Sequence, residues 1–313
     1  MSETTSTGVI LSCVGGRYTV LSEGKRYSCY AKGTLRHLGI KPICGDEVKF
    51  VAGASFPDDG SPLPPSKEND GYLTAVLTRN SVLRRPPIAN IDTLLIVVAA
   101  ADPTPDLLYI DRLTVCAERA GITPIILCNK SDLDPSSAEA IVSLYRQVGY
   151  QAYSMSARED GFENLQLLKH ILEGKRTAMA GFSGVGKTTF FNRLFPHEQG
   201  EVGSLSQKLS RGKNTTRTTK LHSLTRSVLS CNGLFADTAG FSRLDLGELY
   251  DINVEDLPFY FPEFSEYLGT CRFTKCSHKS ELGCAILEAI NDSKLPPSRH
   301  RSYRALLEEI QNA

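Results

Sequence analysis

A glycine-rich segment in the second half of the chain has the residue types and spacing of a phosphate-binding loop. Gly181 and Gly186 precede Lys187 and Thr188. In such loops backbone N–H groups surround phosphates at the start of a helix, the lysine reaches the terminal phosphates, and the hydroxyl binds Mg²⁺. We predict a phosphate site with Lys187 as a catalytic residue and Thr188 as a Mg²⁺ ligand. The assigned residues are Gly181, Phe182, Ser183, Gly184, Val185, Gly186, Lys187, Thr188 and Thr189.

A second polar loop, residues 129–132, predicts recognition of a guanine base. It follows the apolar run 125–128, and α/β sheets bind ligands at the C-terminal ends of such strands. The carboxylate of Asp132 can accept two hydrogen bonds from guanine, whereas adenine lacks that pair of donors. The loop after the next predicted strand is expected to offer a backbone amide to the guanine carbonyl. The alternative is a polar turn with Asp132 as a helix cap. The assigned residues are Asn129, Lys130, Ser131, Asp132, Ser156 and Ala157.

An Asp-x-x-Gly segment, Asp237 to Gly240, follows a further apolar strand downstream of the phosphate loop. In this position the aspartate can hold Mg²⁺ through water, and the glycine amide can sense the terminal phosphate. We therefore assign Asp237 as a Mg²⁺ ligand and both residues as nucleotide contacts. Residues 129–132, here called the base loop, precede the phosphate loop, residues 181–188. In common GTPases the phosphate loop comes first, so the nucleotide motifs of this chain are circularly permuted. As a result, the segment after Gly240 leads directly into the C-terminal region.

A cluster of soft ligands near the C-terminus predicts a metal site. Cys271, Cys276, His278 and Cys284 lie close together in the sequence. Three sulfurs and one imidazole fit a closed tetrahedral zinc site with a structural role, because no coordination position stays open. The alternative is a chance group of reduced thiols. Lysines and arginines around the cluster favour contact with phosphates, or else form a solvated basic face.

The elements that must position these residues change in character along the chain. Residues 1–79 contain short strands separated by turns, which predicts an OB-fold barrel with a polar loop at 53–71. Residues 80–244 alternate apolar strands with helices, which is typical of a mostly parallel α/β sheet. Residues 245–313 are predicted to form a mostly helical zinc-binding domain. The predicted fold class is therefore multidomain, with a β-barrel, a permuted α/β phosphate-loop domain and a helical domain.

Length and charge set limits on this interpretation. A chain of 313 residues exceeds one ordinary core and agrees with several domains. The formal net charge of zero excludes a uniformly basic nucleic-acid binder, although residues 201–226 are locally basic and residues 245–266 are acidic. We find neither an apolar run suited to a membrane helix nor a secretory signal. We expect a cytoplasmic protein with no membrane partner.

In this order the motifs resemble the RsgA family of bacteria, also called YjeQ or YloQ, which are circularly permuted GTPases that depend on the small ribosomal subunit. The resemblance spans nearly the whole chain and includes residues 45–48, 83–86, 89–92 and 211–216. It implies hydrolysis of GTP to GDP and phosphate, stimulated by the small (30S) subunit late in its maturation. We also expect rRNA binding through the OB-fold and the zinc domain, one zinc ion, and Mg²⁺ with GTP. A ribosome-docking protein of this size is expected to be a monomer.

The chain departs from the family pattern where water would be activated. The family usually has histidine at the position of Asn214 and proline at that of Ala239, and Phe241 cannot orient water. Asn214 can form hydrogen bonds but cannot take a proton, so we expect slow intrinsic turnover. Either Thr215 or Thr216 is expected to contact Mg²⁺ and the terminal phosphate.

Two other functions fit parts of this pattern. The first is a nucleotide-dependent binding module that controls docking to RNA or protein with negligible catalysis, which Asn214 and Phe241 would permit. The second is a permuted GTPase that regulates metal or redox metabolism through the Cys/His cluster. The closed ligand set argues against the second, since it leaves no coordination position free.

Overall fold

The computed structural model describes residues 5–59, 70–84, 86–158, 164–198, 219–237 and 252–312. These residues belong to two compact units. The first unit draws on residues 1–93, 163–179 and 188–241, and the second on residues 94–162, 180–187 and 242–313. No helix in the described stretches has both the length and the apolar character needed to cross a membrane. The domain boundaries at residues 79 and 244 remain predictions.

Strands dominate the N-terminal part of the described chain, and helices dominate its C-terminal part. The strands are β1 (Thr5–Val14), β2 (Arg17–Ser22), β3 (Lys25–Ala31), β4 (Glu47–Val51), β5 (Ser55–Pro57), β6 (Gly71–Val76), β7 (Val82–Arg84), β8 (Pro87–Ala89), β9 (Thr93–Ala99), β10 (Thr123–Asn129), β11 (Gln151–Ser154), β12 (Arg176–Ala180), β13 (Lys220–Ser223) and β14 (Leu234–Asp237). The α-helices are α1 (Gly33–His37), α2 (Leu107–Arg119), α3 (Pro135–Gln147), α4 (Leu165–Leu172), α5 (Lys187–Leu194), α6 (Ala285–Asn291) and α7 (Pro297–Gln311).

The N-terminal strands of the first unit close into a barrel. Neighbouring strands run in the order β1–β2–β3–β6–β4, and β4 pairs back onto β1. The pairing of β3 with β6 is parallel, and the other pairings of the barrel are antiparallel. Alternate residues point inwards and form one core, which includes Ile10, Val20, Cys29, Val48, Phe50 and Leu73. This barrel confirms the predicted N-terminal fold.

Two short elements of this region were not predicted. Helix α1 lies between β3 and β4, and β5 pairs with β3 inside the segment predicted to be a polar loop. Both elements are shorter than the stretches over which a periodic pattern can be recognised, which are about 11 residues or more for a helix and about four or more for a strand. The pairing with β3 stabilises β5, and such a long-range partner leaves no local sequence signal.

The turn before β4 ties the barrel to the hairpin formed by β7 and β8. Gly45 has a φ of +85°, and a Cβ there would lie 2.0 Å from the carbonyl oxygen of Ala89, so only glycine fits. The buried carboxylate of Asp46 accepts hydrogen bonds from the backbone of Ile43 and from Arg79 Nε at 2.6 Å. The Gly-Asp pair at this position therefore has a structural role.

The first unit also contains the strands that lead to the phosphate loop. β12 pairs in parallel with β14, and β13 pairs antiparallel with β14. β13 also pairs with barrel strand β1, so these strands continue the barrel sheet. An aromatic cluster is buried beside them and consists of Phe190, Phe191, Phe195, His222 and Phe235.

The second unit begins with a buried strand. Every residue of β9 is buried, as expected for a strand covered on both faces. β9, β10 and β11 are neighbours in that order, and β10 and β11 are parallel. Asp106 and Asp134 cap α2 and α3 by accepting the backbone N–H groups of Tyr109 and Ser137. The predicted α/β pattern is confirmed here.

The described C-terminal residues, 252–312, are built from short 3-10 turns and the helices α6 and α7. The four predicted metal ligands lie in the loop that precedes α6 and end at its N-cap, Cys284. Helix α7 packs against α2, and the buried Arg299 of α7 forms an ion pair with Asp111 of α2. The predicted helical C-terminal region is confirmed.

Candidate functional site

The phosphate loop connects β12 to α5 through backbone conformations that need glycine. Gly181 has a φ of +149°, and a Cβ there would lie 2.2 Å from the carbonyl oxygen of Val97. The amine of Lys187 folds over the loop and donates to the carbonyl oxygens of Gly181 at 2.7 Å and Phe182 at 2.6 Å. Burial lowers the pKa of Lys187 to about 8. The lysine is therefore held where a phosphate group can take over its hydrogen bonds.

Asn129 fastens the base loop to the phosphate loop. Its side-chain Nδ2 donates to the carbonyl oxygen of Val185 at 2.8 Å, and its Oδ1 accepts the N–H of Ala157 at 2.9 Å. Gly186 makes room for this contact, since a Cβ there would lie 2.3 Å from Asn129 Nδ2. Asn129 is 2% exposed. Its amide thus joins the base loop to the phosphate loop at Val185 and to the loop after β11 at Ala157.

The remaining residues of the base loop are more exposed. Lys130 donates to the backbone carbonyl of Asp102, and the Ser131 N–H donates to the carbonyl of Met155 at 3.2 Å. The Asp132 carboxylate accepts from Arg158 at 3.3 Å, and hydrogen bonding from Ser156 lowers its pKa. Asp132 is therefore ionised at neutral pH and can accept the two donors of guanine.

Three contacts at this site were not predicted from the sequence. Arg158 pairs with Asp132, the carbonyl of Asp102 holds Lys130, and the Tyr109 ring meets the Phe182 ring edge-on with centroids 5.6 Å apart. Arg158 could have been found, because it directly follows Ser156 and Ala157. The other two arise from the path of the chain after β9, which carries no motif.

The predicted Mg²⁺ ligands lie at the ends of regular elements. Thr188 is exposed in the first turn of α5, directly after Lys187. Asp237 is the last residue of β14, one position beyond the Ala178–Ala236 pair. The predicted contacts Asn214, Thr215, Thr216 and Gly240 lie outside the described residues.

The C-terminal cluster brings the four predicted metal ligands together. The ligand atoms of Cys271, Cys276, His278 and Cys284 all lie within 4.8 Å of one another. His278 Nδ1 is 3.6 Å from Cys271 Sγ and 3.5 Å from Cys284 Sγ, and those two sulfurs are 3.9 Å apart. This set of residues could hold a metal ion.

Glu281 organises the loop that carries these ligands, residues 271–284, here called the metal-ligand loop. Its carboxylate accepts the N–H groups of Ser277 at 2.8 Å, Lys279 at 2.9 Å and Ser280 at 3.0 Å, and also the hydroxyl of Ser277. Burial opposes ionisation, but the hydrogen bonds from Ser277 and Ser280 lower the pKa of Glu281 to about 2. The loop is thus preorganised by an ionised side chain.

Comparison with known proteins agrees with this arrangement. A model of the RsgA GTPase family matches residues 76–247, and a model of the RsgA N-terminal domain matches residues 7–55. The chain belongs to the RsgA family. The protein named small ribosomal subunit biogenesis GTPase RsgA from Geobacillus sp. is 38% identical to it, over 97% of both chains. The RsgA of Ruminiclostridium cellulolyticum is 37% identical, over 97% of this chain and 94% of the relative.

Two solved RsgA-like structures share the fold over almost the full length. YloQ, described as a circularly permuted GTPase, has a TM-score of 0.77 at 30% identity and covers 99% of this chain and 96% of its own. YjeQ from Thermotoga maritima has a TM-score of 0.78 at 27% identity and covers 99% and 100%. The predicted family, the permuted motif order and the assignment as a GTPase are confirmed.

Proposed function

We propose that this protein hydrolyses GTP to GDP and phosphate and acts in maturation of the small ribosomal subunit. The observation that carries the proposal is the Asn129 bridge, because one buried side chain holds the base loop against the phosphate loop. Membership of the RsgA family supplies the ribosomal context, since its named relatives are small-subunit biogenesis GTPases.

Each predicted residue then has a task. Lys187 and the backbone amides of the phosphate loop would bind the phosphates, and Asp132 would select guanine. Thr188 and Asp237 would hold Mg²⁺, which neutralises phosphate charge when it is bound. Thr215, Thr216 and the amide of Gly240 are the proposed contacts to the terminal phosphate, and Asn214 is the proposed group that orients water.

The C-terminal cluster is proposed to hold one structural zinc ion. Bond lengths to zinc imply tetrahedral edges of about 3.8 Å between sulfurs and about 3.6 Å between sulfur and nitrogen. The distances of 3.9 Å, 3.6 Å and 3.5 Å among Cys271, His278 and Cys284 agree with those edges, and Cys276 Sγ lies within 4.8 Å of the other three ligand atoms. Three thiols also favour zinc over Mg²⁺ or Ca²⁺, which prefer oxygen ligands.

Two surfaces are proposed to bind rRNA. On the barrel, the amine of Lys32 lies 5.0 Å from the centre of the Tyr72 ring. On the metal-ligand loop, Phe273 is 50% exposed and the guanidinium of Arg272 lies 5.6 Å from its ring centre. Tyr72 is half-buried and Phe273 is exposed, and accessible rings beside basic groups can stack on unpaired bases while the cations bind phosphates. We also propose a cytoplasmic location and a monomeric state, which suit docking on the ribosomal subunit.

The proposed activity is tested by GTP turnover with and without purified small subunits, using ATP as the control nucleotide. We expect stimulation of about tenfold or more by the subunit, and no comparable turnover of ATP. Release of unhydrolysed GTP in single-turnover experiments on subunits would instead identify a binding module. Asn214→Ala, assayed in parallel, should lower the stimulated rate if this residue orients water.

The rRNA contact of the metal-ligand loop is tested by a pair of exposed phenylalanines. Phe273→Ala should weaken binding to small subunits by about tenfold, as expected for loss of one stacked base. Phe259→Ala is the matched control, because Phe259 is 68% exposed but follows the acidic residues Glu255 and Asp256. Equal affinity of the two variants would exclude stacking on Phe273.

A further inference from the structure

Helix α2 touches the phosphate loop at its N-terminal end. The ring of Tyr109, in the first turn of α2, meets the ring of Phe182 at an interplanar angle of 83°, with centroids 5.6 Å apart. Asp106 fixes that turn by accepting the Tyr109 N–H at 3.2 Å. Aromatic pairs prefer an edge-to-face arrangement over a direct face-to-face one, so the contact with Tyr109 constrains the position of the Phe182 ring.

The position of Phe182 matters for the phosphate site. Its carbonyl oxygen accepts a hydrogen bond from the amine of Lys187 at 2.6 Å. Its side chain is 51% exposed, so burial constrains it only partly. The contact with Tyr109 therefore helps to set the backbone conformation of the loop and the starting position of the lysine amine.

The body of α2 is held by the C-terminal helix α7. Arg299 of α7 is 1% exposed and is paired with Asp111 of α2 and with Glu263. Tyr145 reinforces the pair by donating its hydroxyl to Asp111 at 2.7 Å. Closer to the end of α7, Glu309 accepts from Arg112 of α2 at 2.5 Å. A buried ion pair of this kind strongly resists separation, because breaking it leaves an uncompensated charge.

Other residues of α7 hold the metal-ligand loop. His300 Nε2 lies 2.6 Å from the backbone oxygen of His278, and the Tyr303 hydroxyl donates to the Ser277 oxygen at 2.9 Å. Lys279 donates to Gln311 at 2.8 Å. The metal-ligand loop, α7, α2 and the phosphate loop are thus joined by successive polar and ring contacts within one unit.

We propose that α2 is a strut between the metal-ligand loop and the phosphate loop, and that Tyr109 is a positioning residue that acts on the phosphate loop through Phe182. A partner that binds the metal-ligand loop would then change phosphate affinity through α7 and α2. By linkage, a bound nucleotide would change the affinity for that partner by the same factor. This route is separate from the direct chain connection after Gly240, and it rests on the proposed binding of GTP at the phosphate loop.

The role of Tyr109 is tested on the full-length protein with Tyr109→Leu, which keeps an apolar side chain but removes the ring. We expect the affinity for Mg²⁺–GDP to fall about fivefold, in line with the loss of an aromatic pair, while the affinity for guanosine changes by less than about twofold. Guanosine lacks phosphates and uses the base loop alone. Tyr267→Leu, at a half-buried tyrosine in the C-terminal region, is the matched control.

An equal loss for GDP and guanosine would overturn the positioning role, because general destabilisation affects both ligands. Unchanged GDP affinity in Tyr109→Leu would overturn it as well. If the wild-type protein itself binds no GDP, the proposed function fails together with the inference. If the wild-type protein binds GDP and Tyr109→Leu binds it with the same affinity, the inference fails but the proposed function does not.

The strut is tested with a double-mutant cycle between Tyr109→Leu and Arg299→Lys. We expect Arg299→Lys to lower GDP affinity about threefold in the wild type and to have no further effect in Tyr109→Leu. Additive effects would overturn the coupling. If Arg299→Lys does not fold, Arg112→Gln serves in the same cycle, since its ion pair with Glu309 is only partly buried.

Discussion

Asn129 and Glu281 are two polar side chains that organise backbone around them, in different regions of the second unit. Asn129 binds Val185 and Ala157, which are 56 and 28 residues away in the sequence. Glu281 binds backbone groups no more than four residues away. Asn129 therefore holds the nucleotide loops together through long-range contacts, whereas Glu281 organises the metal-ligand loop through local ones, to which α7 adds contacts from 22 to 32 residues away.

This difference indicates what each region needs in order to form. The nucleotide loops come together only when the strands that carry them have paired, so the rest of the fold preorganises them. The metal-ligand loop can form its local hydrogen bonds without the rest of the fold, but its three thiols need a shared cation to lie side by side as thiolates. We therefore expect removal of the ion to disrupt the metal-ligand loop more than the nucleotide loops. Loss of a single hydrogen-bonding side chain should disrupt the nucleotide loops more than the metal-ligand loop.

The largest expected effect comes from removing the proposed zinc ion. Structural zinc contributes on the order of 10 kcal/mol to the folding of small sites, so a chelator or Cys276→Ser should unfold the metal-ligand loop. Hydrogen exchange of residues 271–311 should increase strongly, while residues 123–132 keep their protection. Equal protection in both regions after complete metal removal would show that the ion does not hold the metal-ligand loop.

The second effect concerns Asn129→Ala. Loss of two buried hydrogen bonds should lower GDP affinity about 100-fold, or about 3 kcal/mol, because neither neighbouring loop is then fixed. Asn90→Ala is the matched control, since Asn90 is also buried and joins the Asn80 N–H to the Gly45 carbonyl in the first unit. It should lower the thermal midpoint without changing GDP affinity. A similar loss of affinity in both variants would show that general stability, not loop assembly, is being measured.

Features set by local residue patterns can be predicted from the sequence, whereas features set by long-range contacts cannot. The loops around Lys187 and Asp132 and the four metal ligands are recognisable because their chemistry requires fixed residue types at fixed spacing. The contacts of Tyr109 with Phe182 and of Arg299 with Asp111 are not recognisable, because each joins residues far apart in the sequence. Asp111 and Arg299 are 188 residues apart, and no local pattern encodes such a pairing. Strands β7 and β8 are missed for a different reason, because three residues each are too few to show an alternating pattern.

The third effect is a pH dependence of nucleotide binding. Burial lowers the pKa of Lys187 to about 8 in the protein without nucleotide, and bound phosphates should raise it again. The complex then binds a proton that the free protein loses above pH 8. GDP affinity should be constant below that pH and fall by up to about tenfold per pH unit above it. Titration calorimetry in buffers of different ionisation enthalpy should detect proton uptake at pH 9 and none at pH 6.5.

The smallest effect is expected for Glu281→Gln, which keeps the shape of the side chain but removes its charge. Glutamine keeps only one acceptor oxygen, so the N–H groups of Lys279 and Ser280, which share the second carboxylate oxygen, lose their acceptor. Because both residues are at least partly exposed, water can replace that oxygen, and the metal-ligand loop should lose only about 1 kcal/mol. The measurement is the zinc affinity at neutral pH, with Glu308→Gln on the exposed face of α7 as the control. A loss as large as that of Cys276→Ser would mean that the carboxylate, and not the ion, is the main element that holds this loop.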